Sequence, residues 1–164
     1  MNMIIHLKEN IEMNKLLIIF IVIGISTCSL YSQTKTIKGR VISEDFEILP
    51  QVSIVINDAV EVGRTDLNGF FQIVIPVSEK IVSFVFVGLE TTTIELLDKC
   101  DKIEVVMMYI YTYDFMTLKR AERKREKRYK KLPDIHKQAF EKGIFETEYA
   151  HYNREFESFY LQEN

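Results

Sequence analysis

Apolar and polar residues follow three different patterns along this chain. An apolar run of ten residues, Leu16–Ile25, follows Lys15 and gives way to small and polar residues up to Gln33. From residue 34 to about 110, short β-branched segments alternate with a period of two, which predicts strands. Beyond residue 118, apolar residues recur every three or four positions among charged ones, which predicts helices. The pattern divides the chain into residues 1–33, 34–111 and 112–164.

Seven strands are predicted in the middle segment. Their alternation places three side chains of a strand on one sheet face, as at Val52, Ile54 and Ile56, and such residues are the predicted core. Short strands separated by turn residues are typical of an antiparallel, immunoglobulin-like sandwich. The predicted strands cover residues 36–43, 51–57, 60–65, 69–76, 81–87, 91–97 and 102–109.

Glycines and an acidic turn separate these predicted strands. The sequence Asp66-Leu-Asn-Gly69 predicts a hairpin turn, in which Asn68 or Gly69 takes a positive φ and Asp66 accepts backbone N–H bonds. Gly88 is predicted to close the fifth strand. Asp66 beside Asn68 could suggest Ca²⁺, but the twelve-residue ligand spacing and terminal Glu of a calcium loop are missing. We therefore predict a turn cap and no metal site.

The order of these residues resembles the carboxypeptidase-regulatory-like domain. In that family a G-x-V strand is followed by L-P-x-V-x-V, then by a T-D-x-x-G-x-F hairpin and then by an F-x-x-x-G strand. An aromatic residue usually follows the last glycine, whereas this chain has Leu89 there. The resemblance implies a transthyretin-like sandwich in a non-catalytic, exported module of the cell envelope of Bacteroidetes-type bacteria. The matching segments are Ile37-Lys-Gly39-Arg-Val41, Leu49-Pro-Gln-Val52-Ser-Ile-Val-Ile56, Gly63-Arg-Thr65-Asp66-Leu-Asn-Gly69-Phe-Phe71-Gln-Ile73 and Phe84-Val-Phe86-Val-Gly88-Leu89.

The first segment predicts export. An apolar run of ten residues after Lys15 suits a signal peptide and is shorter than the roughly 20 residues of a spanning helix. The natural start is Met1 or Met13. Three outcomes remain open: cleavage near Gln33, lipidation of Cys28, because residues 25–28 resemble a lipobox, or retention of the apolar run as an uncleaved N-terminal anchor. The protein is then periplasmic, outer-membrane associated or secreted, and Cys100 is the only other cysteine.

Charge is distributed unevenly in a chain of net charge −3. Residues 34–118 carry seven bases and thirteen acids, whereas residues 119–131 carry nine bases and two acids, a surplus of seven positive charges. This basic segment consists of good helix formers, and Asp114 is the predicted cap at its start. We expect the helix to lie on an acidic surface, either the sandwich or a partner. Its candidate interaction residues are Lys119, Arg120, Arg123, Lys124, Arg125, Lys127, Arg128, Lys130 and Lys131.

Two further helices are predicted after the basic segment. Pro133 suits the first turn of a helix over residues 133–142, which Gly143 ends. An aromatic stripe at helical spacing then predicts a third helix, which packs on the protein's own sandwich or docks a second envelope protein. The stripe comprises Phe145, Tyr149, Tyr152, Phe156 and Phe159.

No residue pattern indicates catalysis. His136 and His151 are fifteen positions apart and lack ligand partners at metal spacing, and no nucleophile elbow, phosphate loop or dinucleotide fingerprint occurs. A chain of 164 residues is also too short for most barrel or doubly wound enzymes. We expect no enzyme and no cofactor, but an exported accessory or protein-interaction module. The alternative is a binder of anionic lipid or lipopolysaccharide through the basic helix, whereas nucleic-acid binding conflicts with export.

Overall fold

The structure is a computed structural model that describes residues 33–97 and 101–158. Nearly all of the described residues belong to one compact unit, which begins at Lys35. The predicted signal peptide with Cys28, and also Cys100 and Phe159, lie outside the described residues. The elements are β1 (Thr34–Ser43), β2 (Ser53–Ile56), β3 (Val60–Arg64), β4 (Phe70–Pro76), β5 (Ile81–Val85), β6 (Thr92–Leu96), β7 (Lys102–Met107), α1 (Leu118–Tyr129), α2 (Leu132–Glu141) and β8 (Tyr152–Asn153).

The protein is mainly β, and its strands form two sheets. One sheet has the order β4-β1-β7 and the other the order β3-β2-β5-β6-β8. Every predicted strand segment overlaps an observed strand. The prediction of a wholly antiparallel arrangement is wrong at one pair, because β1 and β7 run parallel from Lys38↔Lys102 to Ser43↔Met107. These strands are far apart in sequence, so no short hairpin forces them to be antiparallel.

The period of two correctly predicted the main core. Val52, Ile54 and Ile56 are buried, as are the alternate side chains of β4. Together with side chains from both sheets they form one apolar cluster, in which the rings of Phe71 and Phe84 meet edge to face at 5.5 Å. The buried faces of the two sheets thus share one core in a sandwich-like arrangement.

The turn between β3 and β4 is built as predicted, but the two strands that it connects do not pair with each other. The Asp66 carboxylate accepts hydrogen bonds from the backbone N–H of Asn68 at 2.8 Å and of Phe70 at 2.9 Å, and Gly69 has φ +75°. Gly88 also has a positive φ, of +83°. The predicted hairpin is nevertheless wrong, since β3 and β4 belong to different sheets. The capped turn carries the chain from one sheet to the other.

Between residues 112 and 158, the C-terminal region contains two helices where three were predicted. α1 begins after Thr117, so the predicted cap at Asp114 is wrong. α2 has Pro133 in its first turn and is followed by Gly143 at φ +70°, as predicted. The predicted third helix is wrong, because β8 pairs with β6 through Leu96↔Tyr152. An edge strand offers unpaired backbone groups, and this pairing outweighs the helical spacing of the aromatic residues.

A second apolar cluster lies on the other face of the three-stranded sheet. Ile42 of β1 and Val106 of β7 pack there with Leu132, Ala139 and Phe145 from α2 and the segment after it. Within the described residues, no helix is both long and apolar enough to cross a bilayer. In the smaller sheet, β1 and β7 have buried side chains on both faces.

Candidate functional site

Helix α1 has two chemically different faces. At about 100° per residue, Ala121, Arg125 and Tyr129 project to one side of the helix. Lys119, Arg120, Arg123, Lys124 and Lys127 fall within an arc of about 140° on the opposite side. The first face contacts the rest of the protein, and the second is exposed.

Arg125 attaches the inward face to the loop before β6. Its Nε lies 2.9 Å from the Glu90 carboxylate, and the exposed fractions of the two side chains are only 11% and 10%. The guanidinium also donates to the backbone carbonyl of Glu157 and lies 4.8 Å from the centre of the Phe156 ring. A cation so withdrawn from water is stable only because a carboxylate, a carbonyl and an aromatic face surround it.

Arg128 attaches the same helix to the loop after β1. Its Nε donates to Glu44 at 3.1 Å, its Nη2 also binds that carboxylate, and Nη2 donates to the Tyr109 carbonyl at 2.9 Å. The guanidinium lies 4.1 Å from the centre of the Tyr111 ring. Burial lowers the pKa of Arg128, but the bonds to Glu44 and Tyr113 outweigh it and raise the pKa. Two partly buried ion pairs therefore orient α1.

The outward face retains most of the positive charge. Lys130 pairs with Glu126 at 2.6 Å, whereas six other bases are exposed and form no ion pair with any residue that the structure describes. Unpaired like charges on one helix raise its free energy unless an anionic partner approaches. The six are Lys119, Arg120, Arg123, Lys124, Lys127 and Lys131.

The aromatic residues of the tail do not form a stripe on one helix. Tyr152 lies in β8, and burial raises its pKa to about 12. The Phe156 ring packs against Tyr129 of α1 at 5.3 Å, and Phe145 is buried in the second cluster. Tyr149 is exposed. The aromatic residues thus mainly attach the tail to its own sheets and helices.

A buried carboxylate, missed by the sequence analysis, also holds the tail. Glu104 of β7 accepts hydrogen bonds from the backbone N–H of Glu146 at 2.8 Å and of Thr147 at 2.9 Å, and from the Thr147 hydroxyl at 2.6 Å. The sequence contained one indication of this role, because Glu104 is an acid between Ile103 and Val105 in an otherwise apolar strand. Such a residue needs hydrogen-bond donors from elsewhere in the chain.

The two described histidines, His136 and His151, belong to no group placed to hold a metal ion among the described residues. His136 is buried against Phe145, its Nε2 lies 3.1 Å from the Thr147 carbonyl, and its Nδ1 has no hydrogen-bond partner. Burial lowers the pKa of His136. Among residues 33–97 and 101–158, no group of three or more His, Cys, Asp or Glu side chains is placed to hold a metal ion.

These features define a class of protein: a mainly β fold with two C-terminal helices, one of which presents an exposed cationic face. Neither a family model nor a curated protein matches this chain.

Proposed function

We propose that the protein is a non-catalytic accessory module of the bacterial cell envelope, built on a seven-stranded transthyretin-like sandwich, and that it binds a phosphate-bearing anionic surface through α1. The observation that carries the proposal is the outward face of α1. Five bases within three turns face solvent there without an ion pair among the described residues. Each base near an anionic membrane surface contributes about 1 kcal/mol.

On α1 the charges without an ion pair among the described residues face outward and the apolar side chains face inward, which favours a lipid or lipopolysaccharide surface over a protein as the binding partner. Its inward side chains Arg125, Arg128 and Tyr129 are used within the molecule. The tail aromatics Phe156 and Tyr152, which would make apolar contact with a protein, are also packed internally. The outward arc of α1 offers a partner charge and no apolar side chain, so we expect this arc to lie on the headgroups without insertion.

The resemblance to carboxypeptidase-regulatory-like domains supports the fold assignment, because its motif residues hold neighbouring segments together. The Thr65 hydroxyl accepts from the Val52 N–H at 2.9 Å and donates to the Leu49 carbonyl at 2.7 Å. Two of the motif segments thus meet at one buried side chain. The predicted signal peptide supports the envelope location.

Vesicle co-sedimentation tests this proposal. We expect the protein to sediment with phosphatidylglycerol vesicles in 0.1 M NaCl, but not with phosphatidylcholine vesicles, and to be released at about 0.5 M NaCl, where charge effects reach only a few ångströms. The triple variant Arg120→Gln, Lys124→Gln, Lys127→Gln should bind about a hundredfold more weakly.

A matched variant separates the helix face from net charge. Lys38→Gln, Lys80→Gln, Lys142→Gln removes three exposed lysines elsewhere, so the net charge changes equally. It should bind nearly as well as the natural protein. Equal losses in the two triple variants, or binding that persists at high salt, would count against the proposal.

A further inference from the structure

A cavity of about 410 Å³ lies between the end of α1, the start of α2 and the tail segment. Its wall is mainly apolar and aromatic, which is typical of sites for small organic molecules, and its volume falls within their usual range. The apolar and aromatic part of the wall consists of Val106, Tyr129, Leu132, Pro133, Tyr149, Ala150 and Tyr152.

Arg154 adds a positive charge to this wall without a matching acid. Its Nη1 donates to the Val106 carbonyl at 3.0 Å, and its guanidinium carbon lies 5.5 Å from the centre of the Tyr129 ring. No carboxylate in the described part of the chain forms an ion pair with it, and Glu90, which acts on it electrostatically, is paired with Arg125. Arginine keeps its proton even where burial lowers its pKa, so within the described residues this cation has no carboxylate as an ion-pair partner.

The other polar groups of the cavity supply no negative charge. Burial favours the neutral form of His136, and the Tyr152 hydroxyl, with a pKa of about 12, stays protonated at neutral pH. The remaining charged residue in the wall is another base, Lys130. A partly enclosed cationic site with aromatic walls and no acid is complementary to an anion that carries an apolar body.

We propose that this cavity binds a small organic anion with a flat apolar body. The anionic group, a carboxylate or sulfonate, accepts hydrogen bonds from the Arg154 guanidinium. The body packs among Tyr129, Leu132 and Tyr152. This site lies on the inward side of α1 and is independent of the basic face proposed to bind an anionic surface.

Two fluorescent probes with one carbon skeleton test the role of charge. 1-Anilinonaphthalene-8-sulfonate carries a sulfonate that N-phenyl-1-naphthylamine lacks. Titration of the full chain should give saturable binding of one sulfonate probe per protein, at least about tenfold tighter than the neutral probe, which corresponds to ~1.4 kcal/mol.

Variants then locate the site. Arg154→Gln should weaken the sulfonate probe about tenfold and leave the neutral probe within about twofold, whereas Arg154→Lys should retain part of the preference. Arg123→Gln removes an equal charge from the outward face of α1 and should change neither affinity. Ala150→Trp, at an exposed residue that lines the cavity, should weaken both probes.

If Arg154→Gln fails to fold, the affinities of the natural protein and of Ala150→Trp for the two probes still test the proposed site. Equal affinity for the two probes in the natural protein would overturn the proposal, as would unchanged binding in Ala150→Trp. A loss in Arg123→Gln as large as that in Arg154→Gln would instead assign the sulfonate to the outward face of α1, and would also overturn it.

Discussion

Gly39 of β1 lies against the backbone of β7, with no room for a side chain. A Cβ atom at this position would be 1.6 Å from the carbonyl oxygen of Ile103, its partner in the parallel register, and 2.9 Å from the Phe71 ring. Neither the backbone of β7 nor a buried ring can move away cheaply. Gly39 is therefore required by the approach of a neighbouring strand and not by a turn.

We expect Gly39→Ala to lower the free energy of unfolding by about 3 kcal/mol or more, because the methyl group forces the two strands apart. Urea denaturation of the purified protein measures the loss. Gly88→Ala is the matched control, since φ is +83° there but no atom lies within 4 Å of the added methyl. It should cost only about 1 kcal/mol of backbone strain. Equal losses would contradict the role of close approach.

His136 makes stability depend on pH. Its Nε2–H donates to the Thr147 carbonyl, so a second proton would have to reside on buried Nδ1, which has no acceptor. Burial lowers the pKa of His136, with Glu104 opposing this shift and His151 adding to it. A group whose pKa is lower in the folded state stabilises the protein above its unfolded pKa, and this contribution is lost as the pH falls.

The free energy of unfolding should accordingly fall as the pH drops from 7 through about 6.5 and below, by at most about 1.4 kcal/mol per pH unit from this residue. Urea denaturation at a series of pH values measures the slope. His136→Leu should remove this component while Glu104 and its donors are retained. A slope that is identical in the variant would show that other groups cause the acid sensitivity.

At the scale of the element, α1 is oriented by two ion pairs that lie mostly out of water. We expect Glu90→Gln to lower the free energy of unfolding by about 2 to 3 kcal/mol, because it removes the Glu90 carboxylate from a largely buried guanidinium. Glu126→Gln breaks the exposed pair with Lys130 and should cost about 0.5 kcal/mol or less.

A double-mutant cycle with Arg125→Met and Glu90→Gln isolates the coupling of this pair. The double variant should be more stable than the sum of the single losses predicts, because Met fills the apolar site beside Phe156 without a charge. Purely additive losses would indicate that Glu90 acts on some other group.

At the scale of the whole molecule, the tail completes the fold by covering the outer face of the smaller sheet. Ile42, Val106 and Met108 are buried there by residues after Lys131, and the Glu104 carboxylate receives its three donated hydrogen bonds from the same segment. A chain that ends at Lys131 exposes these apolar side chains and leaves a carboxylate in β7 without donors.

We expect truncation after Lys131 to lower the melting temperature markedly and to increase binding of a hydrophobic dye, because apolar area of the second cluster returns to water. Truncation after Ser158, which retains α2 and β8, is the reference protein for thermal melts followed by circular dichroism. An equal melting temperature for the two truncated proteins would mean that the sandwich is stable without its tail.

Local pattern alone determined the positions of the strands, the capped turn at Asp66 and Gly69, and the two helices around Pro133. Each depends on interactions between residues close in sequence: side-chain alternation in a strand, a carboxylate that accepts N–H groups two and four residues later, and helix propensity with its breakers. Such interactions are present in any fold that the chain adopts, so the sequence reports them directly.

The tertiary structure decided which surfaces meet. The parallel pairing of β1 with β7, the addition of β8 to β6, and the burial of Glu104 and Arg125 all join residues distant in sequence. Helical spacing of the aromatic residues predicted a third helix, but an unpaired strand edge offered backbone hydrogen bonds that local propensity could not anticipate. Charge composition likewise identified a basic helix. Only the ion pairs with Glu44 and Glu90 show which of its bases are used within the molecule and which face solvent. That division depends on which acids the fold brings close to the helix.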